Sequence, residues 1–574
     1  MHGLMMQLPL TITSIMRHAD RVNGKVEVVS VTAESPRHRC TLADVFRRAR
    51  QLANALAAAG VQPGDRIATL AWNDYRHLEL YYAVSCMGAI LHTVNPRLFP
   101  DQISYIINHA SDRVLFADLT LMPLVEKLRP SLKPVEQIIV LSDESYEPFI
   151  AGQADSFDWP RLDECTASSL CYTSGTTGHP KGVLFDHRST VLHSYGSALV
   201  DTMGIGRRDA ILAVVPMFHA NAWGLPYSAP MVGAKIVFPG PKVGDGATLT
   251  ALIREEKVTL AAGVPTVWQV LLDYAREQGI VLDSLERVLV GGSACPLSIM
   301  NEFRDRHGVW TIHAWGMTEM SPLGTTNSRP PGYEQMNVPE QDAFRVRQGR
   351  PVFGVEMKIV DDAGRELPWD GRSSGMLKVR GPWICSDYYR LGEKSAAHDA
   401  DGWFASGDVA NLSEDGTLQI TDRAKDVIKS GGEWISSIDL ECIAAGHPRL
   451  LQAAVIGVLH PKWGERPLLI AVPRPGETPS REELLDWLAG RVAKWWIPDD
   501  VVFVEKIPLT ATGKISKVEL RRQFRDYRLP GACISAWAGR RGIMTCITVP
   551  ATSITMRLHR TAKMALLPGN GGRG

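Results

Sequence analysis

Tyr172-Thr173-Ser174-Gly175-Thr176-Thr177-Gly178-His179-Pro180-Lys181-Gly182-Val183 is the stretch on which the reading of the whole chain turns. Four short hydroxyl residues and three glycines fall within eleven positions, with one lysine near the end. Small residues let backbone N–H groups converge on an anion, and hydroxyls add donors. A lysine brings a point charge to phosphate oxygens. The preceding residues, 167–172, are short and apolar enough for a strand. The expectation is a strand feeding a phosphate loop. It is not the common P-loop, which needs Gly-x4-Gly-Lys-Ser/Thr. Here Lys181 lies three residues after Gly178, behind Pro180, and no Ser or Thr follows it.

Upstream, Thr41-Leu42-Ala43-Asp44 reads as a capping box with Asp in place of the usual Glu. Apolar residues at 42, 45, 46, 49, 52, 53 and 56 then form a helical stripe that Gly60 ends. Strands are expected at 67–71 and 90–94, with a helix over about 76–87 between them. Downstream, 186–200 reads as a helix and 210–216 as a strand. This βαβ rhythm predicts a parallel sheet covered by helices.

Six further stretches carry chemistry. Residues 214–224, Val-Val-Pro-Met-Phe-His-Ala-Asn-Ala-Trp-Gly, are aromatic and apolar, which suits the wall of a hydrophobic site. Val288-Leu289-Val290-Gly291-Gly292-Ser293-Ala294-Cys295-Pro296 is a strand, a glycine turn and a proline opening a helix. Its glycines permit close approach of a flat ring. His313-Ala314-Trp315-Gly316-Met317-Thr318-Glu319 offers a stacking ring, a hydroxyl and a carboxylate suited to the hard ion Mg²⁺. Asp408, in Ser406-Gly407-Asp408-Val409, can accept from both hydroxyls of a ribose. Thr421-Asp422-Arg423-Ala424-Lys425-Asp426 leads into Lys429-Ser430-Gly431-Gly432-Glu433-Trp434, a charged, then glycine-rich link that marks a boundary. Finally, Thr510-Ala511-Thr512-Gly513-Lys514 presents a lysine on a glycine-flanked loop.

From about residue 10 to 530 these stretches resemble the adenylate-forming superfamily of acyl-CoA synthetases, peptide-synthetase adenylation domains and luciferases. They are most like its medium- and long-chain fatty acyl-CoA synthetases. The resemblance implies an α/β protein. It would have a large N-terminal domain of helix-covered sheets (1–424) and a small mobile C-terminal α/β domain (425–530) hinged at Lys425. It implies ATP, Mg²⁺ and CoA as the small molecules handled. Thr173, Ser174, Gly175, Thr176, Thr177, Gly178 and Lys181 would hold phosphates. Gly291, Gly292, Ser293, Ala294, Trp315 and Gly316 would hold adenine. Asp408 and Arg423 would hold ribose. Thr318 would bond the α-phosphate, and Glu319 with Thr173 would hold the metal. Lys514 would act at the reacting carboxylate; Lys517 does not match that position. His219 and Trp223 would line and gate an acyl tunnel. Lys429, Gly431, Gly432 and Trp434 would serve the thioester step. Relatives often carry Tyr in place of Trp315, and an acid in place of Met376.

The implied activity is a fatty acid–CoA ligase that forms acyl-AMP and then the thioester. Alternatives are an enzyme loading a carrier protein and a non-catalytic nucleotide-binding protein. No carrier domain is visible, and a scaffold would not need Glu319, Asp408, Arg423 and Lys514 together.

Composition agrees. The chain has 574 residues, with 62 basic and 62 acidic side chains, and this balance points away from nucleic acid. Nine cysteines without a CxxC pair suggest a reducing cytoplasm rather than a disulfide framework. The longest apolar run, 80–94, is shorter than the roughly 20 residues of a spanning helix. Loose membrane contact through a surface patch and a homodimer, common among fatty-acid relatives, are the remaining partner expectations. Residues 531–574 form an atypical basic tail, with six Lys/Arg and no Asp or Glu, read as disordered.

Overall fold

The computed structural model describes residues 1, 3–173, 179–431, 433–510 and 514–530. Three sheets occupy the chain up to Arg423, and a fourth begins at Ile428.

The first sheet has six strands in the order Gln137–Leu141, Val114–Asp118, Arg66–Leu70, Ile90–Thr93, Ala167–Tyr172, Gly182–Asp186. The first five run parallel, as the βαβ rhythm predicts. The last strand returns antiparallel to Ala167–Tyr172, so the strands on either side of the expected phosphate loop pair with each other. That return strand is not in the sequence reading. The second sheet has nine strands, and its central run is parallel: Trp310–Gly316, Arg287–Val290, Leu260–Gly263, Ala210–Ala213, Lys235–Phe238 and Glu27–Ser30. Active-site loops therefore leave the carboxyl ends of strands in both sheets, the usual ligand side of open α/β sheets.

The helix Tyr75–Cys86 is buried at every residue and touches strands of both sheets. Its polar residues are matched: Tyr81 donates to Met217 O at 2.5 Å, Tyr82 to Pro226 O at 2.8 Å, and Glu79 takes Arg48 at 2.6 Å and Tyr146 at 2.6 Å. Buried polar groups cost little only when paired in this way. The helix Leu42–Ala58 starts at the expected capping box, with Thr41 and Asp44 bonding reciprocally.

A four-stranded antiparallel sheet follows: Glu356–Val360, Gly375–Arg380, Phe404–Leu412, Leu418–Arg423. The fourth sheet is built on the pair Leu450–His460 and Gly464–Pro473, with Asp500–Phe503 parallel to the latter. It has apolar residues on both faces, one packed by Leu484, Leu488 and Leu440, the other by Ile507 and Leu520. The molecule thus consists of a large N-terminal and a small C-terminal α/β domain. Apolar residues at 484, 485, 488 and 492 predict a helix over 481–494; it stops at Leu488, because Ala489 is extended and Gly490 takes φ +77°. Among the described residues no helix is long and apolar enough to cross a membrane. The tail 531–574 lies outside the described residues.

Candidate active site

A cleft of about 1700 Å³ runs between the two domains. It is lined by Thr173, Lys181, His219, Trp223, the turn Gly291–Ala294, Trp315, Gly316, Thr318, Glu319, Arg423, Lys425 and Lys514. Ser174, Gly175, Thr176, Thr177, Gly178 and Gly432 lie outside the described residues.

Both lysine-bearing loops are closed by the same clasp. Thr173 N donates to Lys181 O at 2.9 Å, and Lys181 N donates to Thr173 Oγ1 at 3.2 Å. Thr510 N donates to Lys514 O at 2.6 Å, and Lys514 N donates to Thr510 Oγ1 at 3.2 Å. Each clasp fixes the lysine backbone at the end of its loop.

Lys514 comes from the small domain and enters the cleft. Its Cε lies 3.4 Å from where a Cβ on Gly292 would stand, an ordinary contact distance, and it is the φ of +84° that favours glycine at this position. Burial pulls the Lys514 ammonium down to about 8; Arg423 adds to this, while Asp408 and Glu319 oppose it. Burial, then the charge of Lys514, holds His219 down to about 3, so its imidazole is a neutral wall.

Asp408 is 1% exposed, in the strand Phe404–Leu412. Trp315 Nε1 donates to its Oδ2 at 3.0 Å, and Arg423 Nε meets its Oδ1 at 2.7 Å. Asp408 and Arg423 are direct cross-strand partners. Burial pushes the Asp408 carboxyl up, and Arg423 and Trp315 pull it back.

Thr318 and Glu319 open a short 3₁₀ turn after the strand Trp310–Gly316 and are both buried. Gly316 is obligatory there: a Cβ would stand 1.7 Å from Pro322 O. Glu319 Oε1 accepts from Tyr388 OH at 2.7 Å. The Lys181 ammonium sits 4.8 Å from the centre of the Tyr388 ring. Tyr388 went unnoticed in the sequence because it lies in no chemistry-bearing motif, only in a Tyr-Tyr pair. Among the described residues no three His, Cys, Asp or Glu side chains converge as a metal cage. Glu319 and Thr173 offer oxygen donors of the kind Mg²⁺ takes, an ion held by one or two carboxylates plus substrate phosphates.

Trp223 sits in a left-handed turn. Ala220, Asn221, Ala222 and Trp223 have φ of 43°, 52°, 47° and 56°, and Gly224 has 79°. Such a run costs L-residues roughly 1–2 kcal/mol each. Buried bonds hold it: Asn221 Nδ2 donates to Ser169 Oγ at 3.0 Å, and Asn221 Oδ1 accepts from Tyr81 OH at 3.3 Å. The turn lays the Trp223 ring on Gly291, 3.2 Å from where a Cβ would stand. The tryptophan thereby touches the glycine turn.

Lys429, Gly431 and Trp434 are elsewhere. They belong to the hairpin Ile428–Ser430 and Glu433–Ile435, where Lys429 pairs with Trp434, and none of the three lines the cleft. Lys425 lies between the last strand of the large domain and this hairpin.

Comparison with known proteins agrees with this geometry. The AMP-binding enzyme family matches residues 15–389, and the AMP-binding enzyme C-terminal domain matches 439–514. The chain belongs to the AMP-binding enzyme family, and its relatives place it among that family's acid–thiol ligases. It is 54% identical over 538 residues to a 3-methylmercaptopropionyl-CoA ligase of Ruegeria pomeroyi, covering 92% of this chain and 99% of the relative. It is 50% identical over 541 residues to a medium-chain-fatty-acid–CoA ligase of Ectopseudomonas oleovorans, covering 92% and 98%. A long-chain-fatty-acid–CoA ligase of Thermus thermophilus is 46% identical over 531 residues, covering 91% and 97%. Among solved structures, the anthranilate CoA ligase AuaEII in complex with anthranoyl-AMP superposes with a TM-score of 0.81 at 26% identity, over 90% of this chain and 98% of that one.

Proposed function

We propose that the protein is an ATP-dependent acyl-CoA ligase acting on straight-chain aliphatic acids, with medium- or long-chain fatty acids as its main class. The observation that carries this is Lys514 inside the cleft, flanked by Gly292, His219, Arg423 and Asp408. A carboxylate is a poor acyl donor because its leaving group is oxide. Attack on the α-phosphorus of ATP expels pyrophosphate and leaves AMP as a good leaving group. CoA thiol then displaces AMP.

The first step crowds negative charge, so its catalysis is mainly electrostatic. Lys181 and the hydroxyls of the phosphate loop serve the pyrophosphate. Thr318 serves the α-phosphate, and Lys514 bridges it to the attacking carboxylate. Asp408 and Arg423 serve the ribose; Trp315 and the turn Gly291–Ala294 serve the adenine. Mg²⁺, held by Glu319 and Thr173, would neutralise phosphate charge. The neutral His219 and the Trp223 ring wall the acyl side.

Lys514 has no part in thioester formation. We place a hinge at Lys425, about which the small domain (425–530) turns to withdraw Lys514 and bring the Lys429–Trp434 hairpin to the adenylate. That this hairpin is remote from the cleft while Lys514 is inside it supports two faces used in turn. The cysteine usage favours a cytoplasmic enzyme.

A second reading concerns the acid alone. Relatives 54% and 52% identical are named 3-methylmercaptopropionyl-CoA ligases, which favours a short thioether acid. The deciding assay offers ATP, Mg²⁺, CoA and a ladder of saturated acids together with 3-methylmercaptopropionate. Thioester formation peaking at C8–C16 establishes the fatty-acid class. A peak at the thioether acid establishes the second reading. Absence of pyrophosphate with every acid overturns both.

A further inference from the structure

We propose that Tyr388 is a positioning residue for the adenylation step, registering the phosphate-loop lysine and the metal-side carboxylate on one side chain. This rests on the reading above of Glu319 and Lys181. The phenol donates to Glu319 Oε1 at 2.7 Å, and the ring carries the Lys181 ammonium 4.8 Å from its centre. Lys181 and Glu319 come from different sheets, one from the end of the phosphate hairpin and one from beyond the strand Trp310–Gly316. Tyr388 is the side chain that touches both.

The backbone around Tyr388 is tied to the same two partners. Cys385 N donates to Glu319 O at 2.8 Å, and Tyr389 N donates to Gly182 O, next to Lys181, at 2.8 Å. Gly182 allows this approach, since a Cβ there would stand 3.2 Å from Tyr389 Cβ. A third tie runs from Arg390 Nη1 to His109 O at 3.0 Å and Ser111 Oγ at 3.0 Å. The segment 385–390 therefore bridges both sheets, and Tyr388 is its one member facing the cleft.

Two effects follow from ordinary chemistry. A hydroxyl donor on one oxygen of a metal-binding carboxylate fixes its rotation, and loss of such a partner weakens metal affinity by about 10- to 100-fold. An aromatic face under an ammonium restricts where that charge sits. The hydroxyl and the ring are separable by substitution.

The test uses full-length Tyr388→Phe, Tyr388→Leu and Glu319→Gln. Mn²⁺ binding is read by electron paramagnetic resonance with α,β-methylene-ATP present, and Mg²⁺ dependence by pyrophosphate release. Tyr388→Phe should weaken Mn²⁺ about tenfold or more and raise the half-saturating Mg²⁺ equally, leaving KM for ATP at saturating Mg²⁺ near wild type. Tyr388→Leu should add a rise in KM for ATP through Lys181. Thioester formation from preformed acyl-adenylate should be unchanged in both. Wild-type Mn²⁺ affinity in Tyr388→Phe, with a loss in Glu319→Gln, overturns the role of Tyr388 alone. Wild-type affinity in Glu319→Gln shows that the reading of Glu319 itself is wrong. Should Tyr388→Phe fail to fold, the Mg²⁺ dependence of Tyr388→Leu decides: no shift overturns the proposal.

Discussion

The indole N–H of Trp315 donates to Oδ2 of Asp408 at 3.0 Å, while Arg423 holds Oδ1 of the same carboxylate at 2.7 Å. Both oxygens thus carry a donor before any nucleotide arrives. On the proposed reading a ribose must share or exchange these donors, which would couple recognition of the sugar to the posture of the Trp315 ring. Asp408→Asn puts an amide donor against donors. The expected outcome is a rise of about 10- to 100-fold in KM for ATP, or ~1.4–2.8 kcal/mol. The side chain of Arg423 is 40% exposed and rehydrates, so stability should fall by only about 1 kcal/mol. Steady-state pyrophosphate release and thermal unfolding check the two numbers; an unchanged KM would remove Asp408 from the nucleotide site.

Lys514 makes a pH signature. Its ammonium is pulled from 10.5 to about 8, so the charged form is lost as pH rises through that value. The kcat/KM for adenylation should show an alkaline limb near pH 8, because that parameter reports the free enzyme. The thioester half-reaction should lack that limb. Stability runs the other way: the cost of burying the charge is present below about pH 8 and is relieved as pH rises from there towards 10.5. Lys514→Met should therefore cut adenylation by about 10²- to 10³-fold yet raise the melting temperature at pH 7. A variant less stable than wild type at that pH contradicts this account.

Trp223 and Gly291 form an adjustable contact. Gly291→Ala pushes a methyl into the indole at 3.2 Å and towards Ala314 O at 3.3 Å. One of these neighbours must give. The expected result is a shifted acyl-length profile with a smaller change in KM for ATP. Trp223→Ala should broaden the profile to longer and bulkier acids. Rates over the acid ladder measure both, and an unmoved profile in both variants would separate Trp223 from the acyl site.

Asp422 ties the small domain to the large one. Ser437 N and Oγ donate to Asp422 Oδ2 at 2.7 and 2.6 Å, two bonds that cross the segment around Lys425. Rotation about the proposed hinge at Lys425 would break them. Asp422→Ala should slow adenylation by about tenfold or more, the worth of a charge-assisted bond, and spare the thioester step. Lys425→Pro should do the reverse. Half-reactions assayed separately decide; equal loss of both steps in either variant counts against a hinge.

The sequence was most legible where local rules coincide with tertiary need. Thr41 and Asp44 cap Leu42–Ala58 as expected, and the strand Ala167–Tyr172 falls on the residues anticipated. Trp315, Asp408 and Arg423 do meet, though Trp315 stands 93 positions before Asp408. The return strand Gly182–Asp186 escaped notice because it is five residues long and leaves Leu184 exposed, so it lacks a clear alternation. The helix at 481 was drawn too long because Val492 continues its apolar spacing after the backbone has left the helix. Tyr388 was missed since its meaning lies wholly in what it touches.

The left-handed turn at 220–224 inverts the usual logic of substitution. Elsewhere, replacing alanine by glycine loosens a chain; at Ala220 or Ala222 glycine would relieve a conformation that L-residues resist. The turn that carries Trp223, the proposed acyl-site wall, is thus a loaded spring, and Ser169, Tyr81 and Asn221 are its catch. If Trp223 walls the acyl site as proposed, engineering towards new acids has two distinct handles, the catch and the ring it holds, and residues that do not line the cleft become first choices for a library.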